Sequence, residues 1–228
     1  MASTIPYGTV ALVGAGHLGW TLGEIIASDG TAPSLVVSDP SPPDPELVPR
    51  ASPAGSAGGA LVSRLRQLGH RDRVAPGPHW SELDALRPSL TVLATRTAEP
   101  DRAVTEHLAR HDLPHLLVRL SADDIRVGPL VEPGHSPCLR CIDTLLTDSD
   151  PRWPERLLQA SSRPPGGTVD QLLVSWGAAL AAVQVACYLR TGRADTLGCT
   201  VELAADDLLV RVRRWPHHPE CGCGWWHD

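Results

Sequence analysis

The sequence predicts an α/β protein whose core is an open, mostly parallel sheet, with a structural metal site tying its end to its middle. Three observations predict this. A short run of β-formers, Thr9 to Val13, leads into Gly14-Ala15-Gly16-His17-Leu18-Gly19 and then into an apolar-periodic segment, the order strand, glycine turn, helix. Further apolar runs alternate with helix-spaced segments as far as Ile125, the pattern of parallel strands joined by crossover helices. Two cysteine pairs about eighty residues apart, Cys138/Cys141 and Cys221/Cys223, offer the four thiolates that a closed tetrahedral zinc site uses.

Taken in order, the first strand is Thr9 to Val13 and the first helix runs from Trp20 to Ala27. The glycines of the turn have separate tasks: Gly14 permits the tight bend, Gly16 lets backbone amides approach a pyrophosphate, and Gly19 lets the helix lie close to the strand. A second strand, Leu35 to Ser38, ends at Asp39, twenty residues after Gly19. An acid there can accept hydrogen bonds from ribose hydroxyls. The same pattern also describes a turn that has kept its shape without a ligand. The stretch from Pro40 to Ala60 is too rich in Pro and Gly for a regular element and reads as a mobile loop. Next come a helix over Leu61 to Leu68, an edge strand at Arg73 to Ala75, a short helix at Ser81 to Leu86 and a central strand at Leu90 to Ala94. Glu99 to His111 has helical spacing, and Leu116 to Leu120 returns as a strand.

After Ile125 the pattern changes. Val127 to Val131 reads as a strand, and Cys141 falls in the first turn of a helix ending near Leu146. Asp148 to Gly167 is a proline-rich connection with one short helix, Pro154 to Gln159. A long helix from Thr168 to Leu189 then feeds two strands, Thr200 to Leu203 and Leu208 to Arg213, paired as a hairpin around Asp206-Asp207. The whole chain reads as a single domain, 1–228, with a nucleotide-binding half over 8–125 and a zinc-stapled half over 126–228.

Composition narrows the function. The formal charge is -6, so a nucleic-acid footprint, which needs clustered positive charge, is disfavoured. All twenty cationic residues are arginine, and no lysine exists to form a Schiff base or touch a phosphate. Six cysteines behind a start that lacks a signal-like pattern point to a reducing, cytoplasmic setting in which thiols bind metal rather than pair. The segment Gln171 to Leu189 is free of charge throughout its nineteen residues, yet its length and its Gln, Ser and Gly favour a buried core helix over a membrane span. Cys187 and Cys199 read as small core residues. His218 is the fallback metal ligand should one sulfur not reach. Trp215 reads as packing around the metal staple, and Trp225 and Trp226 as interface anchors.

The order of these features resembles the ThiF/MoeB superfamily of ATP-dependent adenylyltransferases. The segment Val127-Gly128-Pro129-Leu130-Val131-Glu132-Pro133-Gly134-His135-Ser136-Pro137-Cys138-Leu139-Arg140-Cys141, the phrase Asp148-Ser149-Asp150-Pro151-Arg152-Trp153-Pro154 and the ending His217-His218-Pro219-Glu220-Cys221-Gly222-Cys223 are most similar to ThiF-like proteins of actinobacteria. Some of their relatives act beside cyclodehydratases in making azole-containing peptides. The resemblance implies a Rossmann-like sheet with a ThiF-type extension of long helix plus hairpin, structural Zn²⁺, ATP with Mg²⁺, a homodimer, and a peptide or partner biosynthetic enzyme as the binding partner.

Carried over residue by residue, Gly14, Gly16, Gly19 and Asp39 match the nucleotide motif, and Arg50 stands near an expected arginine. The phosphate-contacting lysine has no counterpart, and Thr95-Arg96-Thr97 occupies the place of the acid that supports Mg²⁺ in competent members. Adenylation builds charge on the α-phosphate, so losing the metal clamp and cation removes several kcal/mol of transition-state stabilisation, at about 1.4 kcal/mol per tenfold in rate. Asp101 is a conceivable substitute acid, though its place at a helix start suits an N-cap. Arg96 is free to hold an anion or to reach solvent. The expectation is a non-catalytic, zinc-stapled binding protein with no catalytic residues; the rival is a working adenylyltransferase activating a carboxylate through unconventional residues. An NAD(P)-dependent oxidoreductase is disfavoured, because no hydride-transfer constellation is visible.

Overall fold

The computed structural model describes residues 8–30, 32, 34–48, 55–162 and 170–223. One eight-stranded sheet runs through it, in the order β3-β2-β1-β4-β5-β6-β7-β8. Strands β1 (Thr9–Val13), β2 (Ser34–Ser38), β3 (Val74–Pro76), β4 (Leu90–Leu93) and β5 (His115–Leu120) are mutually parallel. Strands β6 (Asp124–Val131), β7 (Cys199–Ala204) and β8 (Val210–Arg214) extend that half as an antiparallel ribbon. Thus Cys199 to Ala204 and Val210 to Arg214 do pair as a hairpin, with Asp206 and Asp207 in the turn.

The helices sort to the two faces. On one, α1 (His17–Asp29), α2 (Ala57–Gln67) and α7 (Gln171–Thr191) bury Leu18, Leu22, Leu61, Leu65, Val174 and Val185 against β1, β2, β4 and β6. On the other, α3 (Leu83–Leu86), α4 (Arg102–Arg110) and α5 (Leu139–Ser149) cover Ala11, Val36, Leu93 and Leu117 with Leu83, Val104, Leu108 and Leu139. A ten-residue helix α6 (Trp153–Ser162) lies on α5 and buries no residue of its own. The charge-poor segment is indeed a core helix in packing: α7 is the one described helix long and apolar enough to cross a membrane, and it packs against α1, β5 and β6.

Three expectations need correcting. The loop read over 40–60 ends earlier, because Ser56 accepts a hydrogen bond from Gly59 N–H at 3.1 Å and starts α2 at Ala57. A side-chain cap outweighs the poor helix propensity of Gly58 and Gly59. The helix read from Glu99 starts at Arg102 instead: Pro100 disfavours helical backbone before it, and Asp101 caps the helix by accepting from Ala103 N–H at 2.9 Å. The long helix begins at Gln171 rather than Thr168, because Asp170 accepts from the N–H groups of Leu172 and Leu173.

Close approach between α1 and β1 depends on Gly19. A Cβ there would lie 2.1 Å from the Gly14 carbonyl oxygen, a backbone atom that cannot swing away. Gly19→Ala is therefore expected to push α1 off the sheet at a cost of about 1–3 kcal/mol, read as a lowered urea midpoint with unchanged slope. A midpoint equal to that of the parent chain would contradict the tight helix–strand contact.

Candidate functional site

The glycine turn sits at the carboxyl end of β1, where ligands of open α/β sheets bind. Gly14 has φ +104°, and a Cβ on it would meet the Ala94 carbonyl oxygen at 2.2 Å; the bend brings the ends of β1 and β4 into contact. Asp39 accepts the Ala15 N–H at 2.7 Å and, through its other oxygen, both the N–H and the hydroxyl of Ser41. Its carboxylate therefore fastens the turn to the β2 loop. A cavity of about 280 Å³ opens beside Asp39, between Pro76, Pro78 and the start of α2.

Arg96 crosses the mouth of the turn. Its Cγ lies 3.1 Å from where a Gly16 Cβ would be, and its Nη2 donates to the Pro42 carbonyl at 3.2 Å. The residue is half-buried, and its Nε–H has no acceptor among the described residues. Arg50, Trp225 and Trp226 lie outside the described residues. Beside the turn, the first residue of α1 brings together a small set of metal-competent atoms. His17 Nε2 lies 3.7 Å from Asp44 Oδ2 and 3.4 Å from Glu46 Oε2, while Gln171 Nε2 donates to His17 Nδ1 at 3.3 Å.

The predicted cysteine set does converge. The Sγ atoms of Cys138, Cys141, Cys221 and Cys223 all lie within 4.8 Å of one another, with Cys138–Cys221 at 3.4 Å and Cys141–Cys223 at 3.1 Å. Such a cluster can hold a metal ion. Cys138 is the N-cap of α5, so Cys141 follows one turn later on the same side of the helix start. Hydrogen bonding from Cys138 holds the Cys141 thiol well below its ordinary range, with Cys223 and Cys221 acting the same way; Cys138, which donates, is pushed up, and burial raises Cys221. Metal ligation needs the thiolate form. His218 is not a substitute ligand: its Nε2 faces Asp148 at 3.0 Å and its Nδ1 accepts the Glu220 N–H. Cys199 is buried, whereas Cys187 is half-exposed beside Thr191, so only the first is a core residue.

What sequence reasoning missed is a buried ionic network beneath the antiparallel strands. Glu99, only 3% exposed, accepts from Arg119 Nη1 at 2.7 Å and from Arg102 Nη2 at 3.1 Å. Arg102 also forks onto Asp143 at 2.7 and 2.9 Å, Arg119 donates to the Gly128 carbonyl, and the Trp153 indole N–H donates to Asp143 at 3.1 Å. Burial alone would raise the Glu99 carboxyl, but the adjacent Arg119 and Arg102 overcome it and hold the group below its usual value. The available signal was Arg119 inside the apolar run Leu116 to Leu120, since a charge in a buried strand needs a partner. Trp215 lines the cavity beside this network. Its indole donates to Thr200, and Arg213 stacks on its ring at 3.9 Å.

No protein-family model matches this sequence, and no curated protein matches it. Solved structures do resemble it. E. coli MccB bound to ATP superposes with a TM-score of 0.70 over 95% of this chain at 16% identity. The microcin C7 biosynthetic enzyme MccB, in complex with N-formylated MccA, gives a TM-score of 0.68 over 95% of this chain at 15% identity. PaaA gives 0.63 over 90% at 16% identity, with 72% of its own chain covered. This chain spans 66% of the length of the ATP-bound MccB and 67% of the MccA complex. At such identities the likeness establishes a shared fold.

Proposed function

We propose that this chain is a non-catalytic, zinc-stapled ThiF-like binding protein that engages a peptide or partner enzyme in the biosynthesis of a ribosomally made modified peptide. The observation that carries the reading is the state of the glycine turn. Arg96 lies across Gly16 where β4 ends, and the Asp39 carboxylate is already engaged by Ala15 and Ser41. A cation can neutralise a phosphate, but it cannot recruit Mg²⁺, and no lysine stands in for the second cation. The likeness to MccB, whose structures carry ATP in one case and MccA in another, supports a peptide context.

The four thiols fit Zn²⁺ in the chemistry of the donor set and in their mutual spacing. Cys138, Cys141, Cys221 and Cys223 would hold it, and its contribution would be structural, since four protein ligands leave no open position. Gly14, Gly16, Gly19 and Asp39 remain the residues that would face a nucleotide. A homodimer and a cytoplasmic setting belong to the same reading.

The test is ATP–pyrophosphate exchange with millimolar ATP and Mg²⁺, alongside affinity purification from the native host. The expected result is no exchange, together with co-purification of a precursor peptide or a cyclodehydratase-like enzyme. Accumulation of a carboxyl-AMP product would overturn the reading. One observation favours the rival adenylyltransferase: His17, Asp44 and Glu46 sit beside the turn at ligand spacing and could hold a divalent cation there. On that reading exchange is measurable and Glu46→Gln abolishes it.

A further inference from the structure

A cavity of about 400 Å³ lies between the antiparallel strands and helices α5 and α6. It shares no lining residue with the glycine turn or the cysteine cluster. Its volume falls in the range of small-molecule sites, about 300–1,000 Å³. Two indoles flank it, Trp153 and Trp215, and each is pinned by its own N–H, to Asp143 and to Thr200. Pinned rings present their faces without having to be ordered on binding. Ile142, Leu146 and Val212 complete the apolar part of the wall.

The polar part is arginine-rich, yet most of those charges are committed. Arg102 serves Asp143 and Glu99, Arg126 serves Asp124 and Glu202, and Arg211 serves Asp207. Arg213 is different: among the described residues no carboxylate lies in ion-pair range of it, and its guanidinium rests on the Trp215 ring. Deeper in the wall, Arg119 is only 7% exposed and its Nε–H has no acceptor. One uncommitted cation matches one negative charge. A doubly charged phosphate would also face Glu99 and Glu202, which line the same cavity.

We infer that this cavity binds a single carboxylate borne on an aromatic or branched apolar body, with Arg213 pairing the carboxylate and the Trp153 and Trp215 faces holding the body. The inference rests on the reading of the chain as a binding protein and names the chemistry of what is bound. A free small acid and the C-terminal residue of a peptide both carry this chemistry.

Isothermal titration of the full-length, metal-loaded protein tests it, with N-acetyl-phenylalanine compared with its C-terminal amide, and tryptophan fluorescence as a second readout. The acid is expected to bind at least about tenfold more tightly than the amide, a difference of about 1.4 kcal/mol. Arg213→Gln, on an exposed strand, should bring the acid down to the affinity of the amide. Trp153→Phe, which loses the bond to Asp143, should weaken both. Equal affinities for acid and amide, an unchanged affinity in Arg213→Gln, or no signal with the acid at about 10 mM would each overturn the proposal. Phenylacetate and a pentapeptide ending in Phe then separate the sources: tighter binding of the peptide assigns a chain terminus, and equal binding a free acid. Failure here leaves partner capture untouched, whereas pyrophosphate exchange would defeat the binding-protein reading without altering these titrations.

Discussion

Replacing Cys138 by serine is expected to strip one metal ion per chain and to release residues 216–223 from the fold. After β8 the chain forms no further helix or strand among the described residues, and Pro216, His217, Pro219, Glu220 and Gly222 are exposed. Ordering these eight residues costs about 1–2 kcal/mol each, a sum near 10 kcal/mol. A structural zinc site contributes about 10–16 kcal/mol, so the two terms nearly cancel and the segment stays ordered only while the metal is held. The parallel half keeps its own core, so the loss is local. Metal analysis should fall from about one ion per chain to none, and hydrogen exchange over 215–223 should rise to that of an unstructured peptide while β1 and β4 stay protected. A segment that remains protected after metal is gone would show that packing, not the thiols, holds the end of the chain.

Glu99→Ala is expected to cost about 3–5 kcal/mol, the penalty for leaving a buried cation without its partner. For a chain of this size that lowers the melting temperature by roughly 10 °C. Arg119 would be left in a nearly dry site with only the Gly128 carbonyl, and Arg102 would keep Asp143. Replacing both partners, Glu99→Leu with Arg119→Met, should recover most of the loss, because apolar residues of similar volume carry no desolvation penalty. If the double variant is no better than the single one, the network specifies the local structure in some further way.

The same residues set the response to acid. The Glu99 carboxyl is held below its ordinary value of 4.5 by its arginines against the opposing effect of burial. Its stabilisation is therefore fully present above that value and is lost as pH falls through the lower folded one. Burial drives His115 down to about 4 from 6.5; its neutral form is the folded one, so its contribution is also present above 6.5 and lost toward 4. Melting temperature should decline gently from about pH 6.5 and more steeply below about 4.5. In Glu99→Ala the steep part should flatten while the gentle part persists. A parent profile that is flat between pH 7 and 4 would mean that His115 is not as buried as its packing implies.

Much of the fold was legible because its signals are local. Thr9 to Val13 is a strand by composition, Gly14, Gly16 and Gly19 announce a turn by their spacing, and Asp101 marks a helix start by type. The cysteine quartet was legible for a related reason. Thiols in pairs at short spacing have few other uses in a reducing setting, and all four do meet. The Glu99 ion pair is not legible along the chain because its partner, Arg119, is twenty residues away and on another element. Nothing in the chain order says that Asp148 faces His218.

The sequence by itself determined the order of elements, the glycine turn, the absence of a lysine for phosphate chemistry and the metal-competent thiols. Each of these depends on residue type and near spacing, which backbone sterics and coordination chemistry translate directly into local structure. Only the tertiary structure decided that Arg96 lies over Gly16, that Asp39 is tied to Ala15 and Ser41, and that two tryptophans and an arginine without an ion-pair partner among the described residues line one cavity. Those outcomes depend on how β4, the β2 loop, α6 and β8 are brought together across the sheet, and side-chain partnerships at such separations are chosen by packing rather than by any pattern along the chain.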